Sequence, residues 1–236
     1  MAGKPNLRSP WVPRIAIGIV GLLVLGGIIS IAVGEGGPQA REIGEISPMQ
    51  QRYGGIHQEG NRLGEPDSEV TVTVFNDPRC PSCGEYQIDV IGQLVDEDVR
   101  TGKYAMELRP YSFVKEAITY PSLGVAAAEM QSRSWQYIDL LYRNIEAAGA
   151  KAEKDFMRLV AEAVPHLEVE QWDTDFDSEK AEAILEANEE LGFSLELPPT
   201  GPSVVVDGLG GTEVLTDYPS VESIRAAVDR VSRQTQ

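Results

Sequence analysis

The chain has 236 residues, with 37 acidic against 20 basic side chains and a formal charge of −17. So acidic a surface argues against nucleic-acid binding and against adsorption to anionic lipid, because both need an excess of cations. The chain holds only two cysteines, so any thiol chemistry must run through a single pair.

Residues 1–14 carry Lys4, Arg8 and Arg14, and the uncharged run IAIGIVGLLVLGGIISIAV follows over 15–33. As a helix of about 1.5 Å per residue this run reaches roughly 28 Å, close to the thickness of a bilayer core. A secretory signal has a shorter apolar region of about 7–15 residues, so the length predicts an uncleaved transmembrane anchor. Ser30-Ile31-Ala32 keeps cleavage open as the alternative. The basic flank predicts a cytoplasmic N-terminus, with the bulk of the chain outside, and Trp11 suits an interfacial position. All 37 acidic residues lie after the run, with 17 of the basic ones, so that portion carries about −20. Residues 34–69, with Gly-rich stretches, Pro66 and little apolar periodicity, read as a flexible extracytoplasmic linker.

From residue 70 the pattern changes to one domain, 70–236. Val70-Thr71-Val72-Thr73-Val74-Phe75 reads as a strand. A helical pattern with Tyr86, Val90, Ile91, Leu94 and Val95 on one face comes soon after. Between them stands Asp77-Pro78-Arg79-Cys80-Pro81-Ser82-Cys83-Gly84. Pro81 suits the first helical position, where no N–H is required, so Cys80 is expected at the helix N-terminus. Free N–H groups and the helix dipole there favour a thiolate, and Arg79 is expected to add a cation. Cys83, one turn inward, is expected to be buried and to act as the resolving thiol. Such a pair supports thiol–disulfide exchange, and an exported location agrees with it because disulfides persist outside the cytosol. A structural zinc needs about four ligands, and the only histidines, His57 and His166, stand in polar or loop-like sequence; neither a metal nor another cofactor is expected.

A second strand is predicted over 104–108, then a helical insertion over about 115–195. Its apolar stripes are Trp135, Ile138, Tyr142 and Ile145, then Phe156, Leu159, Val160 and Val164, then Ile184 and Leu191 with Gly192 as C-cap. Strands return at 203–206 and 212–215 around a turn at Asp207-Gly208. A final helix with Val221, Ile224, Val228 and Val231 on one side takes Ser220 as N-cap. The domain is therefore α/β, ordered βαβ, helical insertion, ββα. Leu197-Pro198-Pro199-Thr200-Gly201 matches a sortase sorting signal, but an amphipathic helix follows it where a hydrophobic segment and basic tail are required, so the match is set aside.

The chain resembles the DsbA-like thiol–disulfide oxidoreductases of the thioredoxin superfamily, more narrowly their membrane-anchored bacterial branch. The resemblance spans about 63–232. It rests on Leu63-Gly64-Glu65-Pro66, Val74-Phe75-Asn76-Asp77, Cys80-Pro81-Ser82-Cys83 and Gly201-Pro202-Ser203 before a β-hairpin. It implies a thioredoxin-like fold with a cis Pro202 packed beside the cysteine pair. It also implies a substrate segment held along Gly201, with Pro81, Ser82 and Ser203 lining the approach, and catalysis by Cys80, Cys83 and Pro202. Three positions depart from the family pattern. Ser82 stands where strong oxidants often have histidine. Val74 stands where many relatives bury a proton-relaying acid, a task that would fall to Glu107 or water. Gly201 replaces the usual Thr or Val.

The expected activity is a dithiol oxidase that introduces disulfides into exported proteins. Its expected partners are reduced exported proteins and, since no third cysteine is present, a membrane quinone-linked thiol oxidase for reoxidation. A reductase or isomerase with the same site is one alternative; a non-catalytic binding module or metallochaperone, from a different class, is the other.

Overall fold

The structure, a computed structural model, describes residues 43–112, 118–148 and 153–233. The expected cytoplasmic segment 1–14 and anchor 15–33 lie outside the described residues. Among those described, no helix is long and apolar enough to cross a membrane.

Among the described residues six strands form one sheet in the order β1-β2-β4-β3-β5-β6. The strands are β1 (Gln58–Glu59), β2 (Arg62–Leu63), β3 (Thr71–Asn76), β4 (Ala105–Pro110), β5 (Ser203–Gly208) and β6 (Gly211–Leu215). β3 and β4 run parallel, whereas β5 is antiparallel to β3 and β6 to β5. The parallel pair needs a crossover, supplied by α2 (Pro81–Tyr86), a π turn (Gln87–Ile91) and α3 (Gly92–Glu97), which follow one another without a break. Val74 pairs with Leu108 and Val204, and Val72 with Met106 and Val206, all fully buried. Each such side chain contributes about 1.5–3 kcal/mol of hydrophobic stabilisation.

The insertion comprises α4 (Tyr120–Glu129), α5 (Ser134–Ala148), α6 (Lys154–Ala163), α7 (Val169–Phe176) and α8 (Glu179–Ser194). A capping box between Thr119 and Ser122 starts α4, and its small residues let Trp172 Nε1 donate to the Gly124 carbonyl at 3.0 Å. Trp135 and Trp172 are fully buried, and the stripes supply core residues as their spacing predicts, except that Leu159 is only half-buried and Met157 takes the core position on α6. The last helix, α9 (Val221–Val231), is capped by Ser220, which accepts from Ser223 N, and buries Val221, Ile224, Val228 and Val231.

Two expectations need correction. The described part of the supposed linker, 43–69, is folded. Helix α1 (Ile46–Tyr53) buries Met49 and Tyr53, the Asn144 side chain bonds both backbone groups of Gly44, and β2 pairs with β4. Gly55, Gly60 and Gly64 have φ of 78°, 57° and 111°, so the glycines that suggest a linker are turn residues of a compact segment. Gly192 is also not a C-cap. It lies inside α8, which ends at Ser194, and it is glycine because a Cβ there would collide with the ring of Tyr111.

Candidate active site

The Cys80–Cys83 disulfide sits where β3 hands over to α2, with 5.2 Å between the two Cα atoms. Cys80 is the N-cap of α2, with extended φ and ψ of −86° and 114°, and Pro81 opens the helix. The Cys80 sulfur accepts from the Cys83 N–H at 3.2 Å, a donor that it shares with the Cys80 carbonyl at 3.1 Å, so a first-turn N–H already points at it. Cys80 is half-buried, Pro81 and Ser82 are exposed, and Cys83 is fully buried. One sulfur therefore faces solvent and the other faces the core, as the spacing predicts. The next residue must be small: a Cβ on Gly84 would lie 2.8 Å from Tyr142 Cδ1. The Tyr142 hydroxyl passes beneath to donate to the Asp77 carbonyl at 2.9 Å, which ties the motif to α5.

Beneath the disulfide lies a pair of buried amides that sequence reasoning missed. Asn76 Nδ2 donates to the Cys83 carbonyl at 3.4 Å and to Gln87 Oε1 at 3.3 Å. Both residues are fully buried, and Asn76 Oδ1 and Gln87 Nε2 have no hydrogen-bond partner among the described residues. Val74, on the same side, is fully buried and apolar. Glu107 does not serve in place of an acid at that position. It pairs with Thr73 across the parallel ladder, and the alternation of side chains along a strand puts it on the opposite face from Val74; there it forms ion pairs with Arg62 and Arg109.

The Arg79 side chain is engaged by other groups. Its guanidinium bonds Asp77 through Nε at 3.2 Å and Nη2 at 3.0 Å, and Nη2 also donates to Ser112 Oγ at 2.6 Å. The cation expected beside Cys80 is thus paired within its own loop.

The Gly201-Pro202-Ser203 segment leads into β5 beside β3. The Gly201–Pro202 bond is trans, since no described peptide bond is cis; trans is the intrinsically favoured state by about 0.5–1 kcal/mol. Ser203 is 1 % exposed and pairs with Phe75, so it forms part of the sheet and not of an approach surface. Gly201 is buried too, under the ring of Tyr218. Tyr218, the other residue missed, donates its N–H to the Pro202 carbonyl at 3.2 Å, and its hydroxyl lies 2.7 Å from Ser82 Oγ. Ser82 Oγ in turn lies 3.3 Å from Cys80 Sγ. Pro202 and the cysteine pair are therefore linked through Tyr218 and Ser82. No periodicity points to a lone tyrosine in the loop before α9; the only sequence signal is its place just ahead of the Ser220 cap.

A thioredoxin family model matches residues 57–230. The chain belongs to the thioredoxin family. A protein of Bacillus anthracis described as a probable disulfide bond formation protein D is 24% identical over 223 residues, covering 92% of this chain and 93% of that protein. The Bacillus cereus protein of the same description is 25% identical over 175 residues, 71% of this chain and 76% of that one. Oxidised BdbD from Bacillus subtilis superposes with a TM-score of 0.56 at 17% identity, covering 74% of this chain and 95% of that one. DsbA from Chlamydia trachomatis gives 0.57 at 17% identity, with 82% and 96% covered. With its thioredoxin-like fold, its helical insertion and its Cys80–Cys83 pair, the chain is a DsbA-like thiol–disulfide oxidoreductase.

Proposed function

We propose that the protein is an exported, membrane-tethered dithiol oxidase, which passes the Cys80–Cys83 disulfide to reduced proteins outside the cytoplasm. The observation that carries this reading is the asymmetry of the two sulfurs: Cys80 is half-exposed at a helix end that already donates an N–H to it, and Cys83 is 0 % exposed. An incoming thiolate reaches Cys80, and the buried Cys83 is the leaving group. The names of the Bacillus relatives, probable disulfide bond formation proteins, support the oxidising direction. The apolar run 15–33 and its basic flank support tethering with the N-terminus in the cytoplasm. Because the chain has two cysteines, reoxidation falls to a partner, for which a membrane quinone-linked thiol oxidase has suitable chemistry.

The deciding experiment mixes the oxidised protein with a reduced, unfolded disulfide-containing protein and measures disulfide formation, together with the reduction potential of the pair. A potential between about −270 and −120 mV with efficient oxidation supports the reading. A value below about −250 mV without oxidation moves the protein to the reductases. Trapping assigns the sulfurs: Cys83→Ser accumulates mixed disulfides with substrates through Cys80, and Cys80→Ser accumulates few. Equal trapping by both variants would contradict the assignment.

A further inference from the structure

We propose that Tyr218 is a positioning residue for the thiol chemistry: its hydroxyl fixes Ser82, and Ser82 stabilises the Cys80 sulfur when the disulfide opens. The inference rests on the oxidoreductase reading and supplies the partner that the motif lacks where a histidine is often found.

The hydroxyls form a chain, with Tyr218 OH 2.7 Å from Ser82 Oγ and Ser82 Oγ 3.3 Å from Cys80 Sγ. A serine hydroxyl alone can rotate and serve as donor or acceptor. Once Cys80 is a thiolate, the sulfur can only accept, so the Ser82 O–H points at it and the Tyr218 O–H points at the Ser82 oxygen. Every member then has a partner, and hydrogen bonds to a charged acceptor are the strong ones. A disulfide sulfur carries no charge, so the same chain does much less for the oxidised form. The contribution is therefore differential.

Two contacts of the tyrosine, and two of its chain neighbours Asp217 and Pro219, hold it in place. Its N–H bonds the Pro202 carbonyl at 3.2 Å. Its ring meets Tyr86 edge-on, with centroids 5.8 Å apart, and the Tyr86 hydroxyl donates to the Pro219 carbonyl at 2.9 Å. Asp217 accepts from Thr200 Oγ1 at 2.6 Å. Asp217 and Tyr218 have φ of 58° and 60°. Two consecutive non-glycine residues in the left-handed region are uncommon and carry a backbone cost, and here they bring the ring over the site. Gly201 accommodates that ring, because a Cβ there would lie 2.5 Å from Tyr218 Cε2. The unusual glycine and the tyrosine are one arrangement.

The chemistry balances as follows. A substrate thiolate attacks Cys80 Sγ, the bond to Cys83 breaks, and Cys83 leaves with the electron pair and takes up a proton. A second substrate thiolate attacks the substrate sulfur of the mixed disulfide, and Cys80 leaves as the thiolate that Ser82 meets. The substrate loses two electrons and two protons; the pair gains both electrons, one proton resides on Cys83 and the other goes to solvent.

The test is the pH profile of alkylation of the first-reacting thiol in the reduced protein, with iodoacetamide as probe. The titratable and charged groups on the segments around Cys80 are Asp77 and its partner Arg79, Glu85, Tyr86, Tyr142, Asp217 and Tyr218 itself, with Glu45 and Arg143 beside Pro81 and Glu85, and Glu189 beside Asp77 and Arg79; all but Tyr218 are kept in each variant. Tyr218→Phe retains the ring and is expected to raise the apparent thiol pKa by about half a unit to one unit. The equilibrium with glutathione should shift about three- to tenfold against the reduced form. Ser82→Ala is expected to shift the profile at least as far, and adding Tyr218→Phe to it should change nothing more. Gly201→Ala, which displaces the ring and leaves the hydroxyl intact, should move the profile in the same direction. An unmoved profile in Tyr218→Phe, or additive shifts in the double variant, overturns the proposal. A wild-type Cys80 titrating near about 8.5, as free cysteine does, defeats both the relay and the low-pKa thiolate on which the oxidase reading depends. A low wild-type value with an unmoved Tyr218→Phe defeats the relay alone.

Discussion

On one face of β3, Val72, Val74 and Asn76 share their surroundings with Cys83, and the polar groups bonded beneath the sulfur are the amides of Asn76 and Gln87. On the other face, Thr73 and Phe75 pair with Glu107 and Arg109. There Arg109 Nη1 donates to Asn188 Oδ1 at 3.0 Å and Nη2 to Glu107 at 3.0 Å. Glu129 feels both of these charges and Lys180, but burial dominates and pushes its carboxyl up to about 7. The two faces of a single strand thus differ in kind. Among β3 and its ladder partners, the titratable side chains stand on the far face, and the strand's own polar group on the sulfur side is the Asn76 amide. Cys83 therefore leaves and attacks without a carboxylate of β3 beneath it, and its proton must come from water or from groups reached at the mouth of the site.

That contrast can be broken most severely by putting an acid on the sulfur side. Val74→Glu places a carboxyl where exposure is 0 % and is expected to cost about 3–5 kcal/mol at pH 8. The loss should shrink at pH 5, because burial raises the carboxyl pKa, so the folded protein holds the proton more tightly than the unfolded chain and stability falls as pH rises. Urea unfolding at the two pH values checks both magnitude and sign. The next largest effect is expected from Asn76→Ala, which removes the donor to Cys83 and Gln87 and leaves Gln87 buried with still fewer partners. A loss of about 1–3 kcal/mol is expected, nearly independent of pH between 5 and 8.

On the far face the sign is the same, but the buried acid is native, so removing it stabilises the fold. The Glu129 carboxyl is raised in the folded state, so it weakens the fold progressively as pH climbs from the unfolded value near 4.5 through about 7. Glu129→Gln should leave stability at pH 4 almost unchanged and raise it by about 1–2 kcal/mol at pH 8, as measured by the same unfolding experiment. The smallest effect is expected for Arg79→Gln. Since that guanidinium is already engaged by Asp77 and Ser112, the Cys80 alkylation profile should move by less than about 0.3 pH unit. A shift of a full unit would mean that the loop opens and delivers the cation to the sulfur.

Local chemistry made much of this architecture readable. A β-branched run, proline after the first cysteine and apolar residues at helical spacing are near-neighbour signals, and they place β3, α2, the disulfide and the terminal ββα correctly. What sequence could not show are close approaches between distant segments. Gly192 looks like a helix cap and Gly201 like an opening for substrate, but each is a notch for an aromatic ring, from Tyr111 and Tyr218. Ser203 looks available to a substrate until β5 is paired with β3. The glycines of 43–69 carry the same ambiguity, since turn and linker share a composition and only the burial of Met49 and Tyr53 separates them. Arg79 is misleading for another reason: adjacency to Cys80 in the chain says nothing about which way a long side chain turns.

The π turn at Gln87–Ile91 has a mechanical corollary for the helix that carries the cysteines. A π turn is in effect one residue added to a helical turn, and it resets the angular phase of everything on either side by about 100°. Upstream of it, Cys83 and Tyr86 face inward; downstream, Leu94 and Val95 do so. The helix is thus two rotors on one axle, one setting the direction of the sulfurs and the other gripping the core. Deleting Asp89, an exposed residue within the turn, would restore a uniform pitch and leave the two halves unable to face inward together. With the downstream grip intact, the disulfide would be swung around the axle, away from Ser82's partner on the loop before α9.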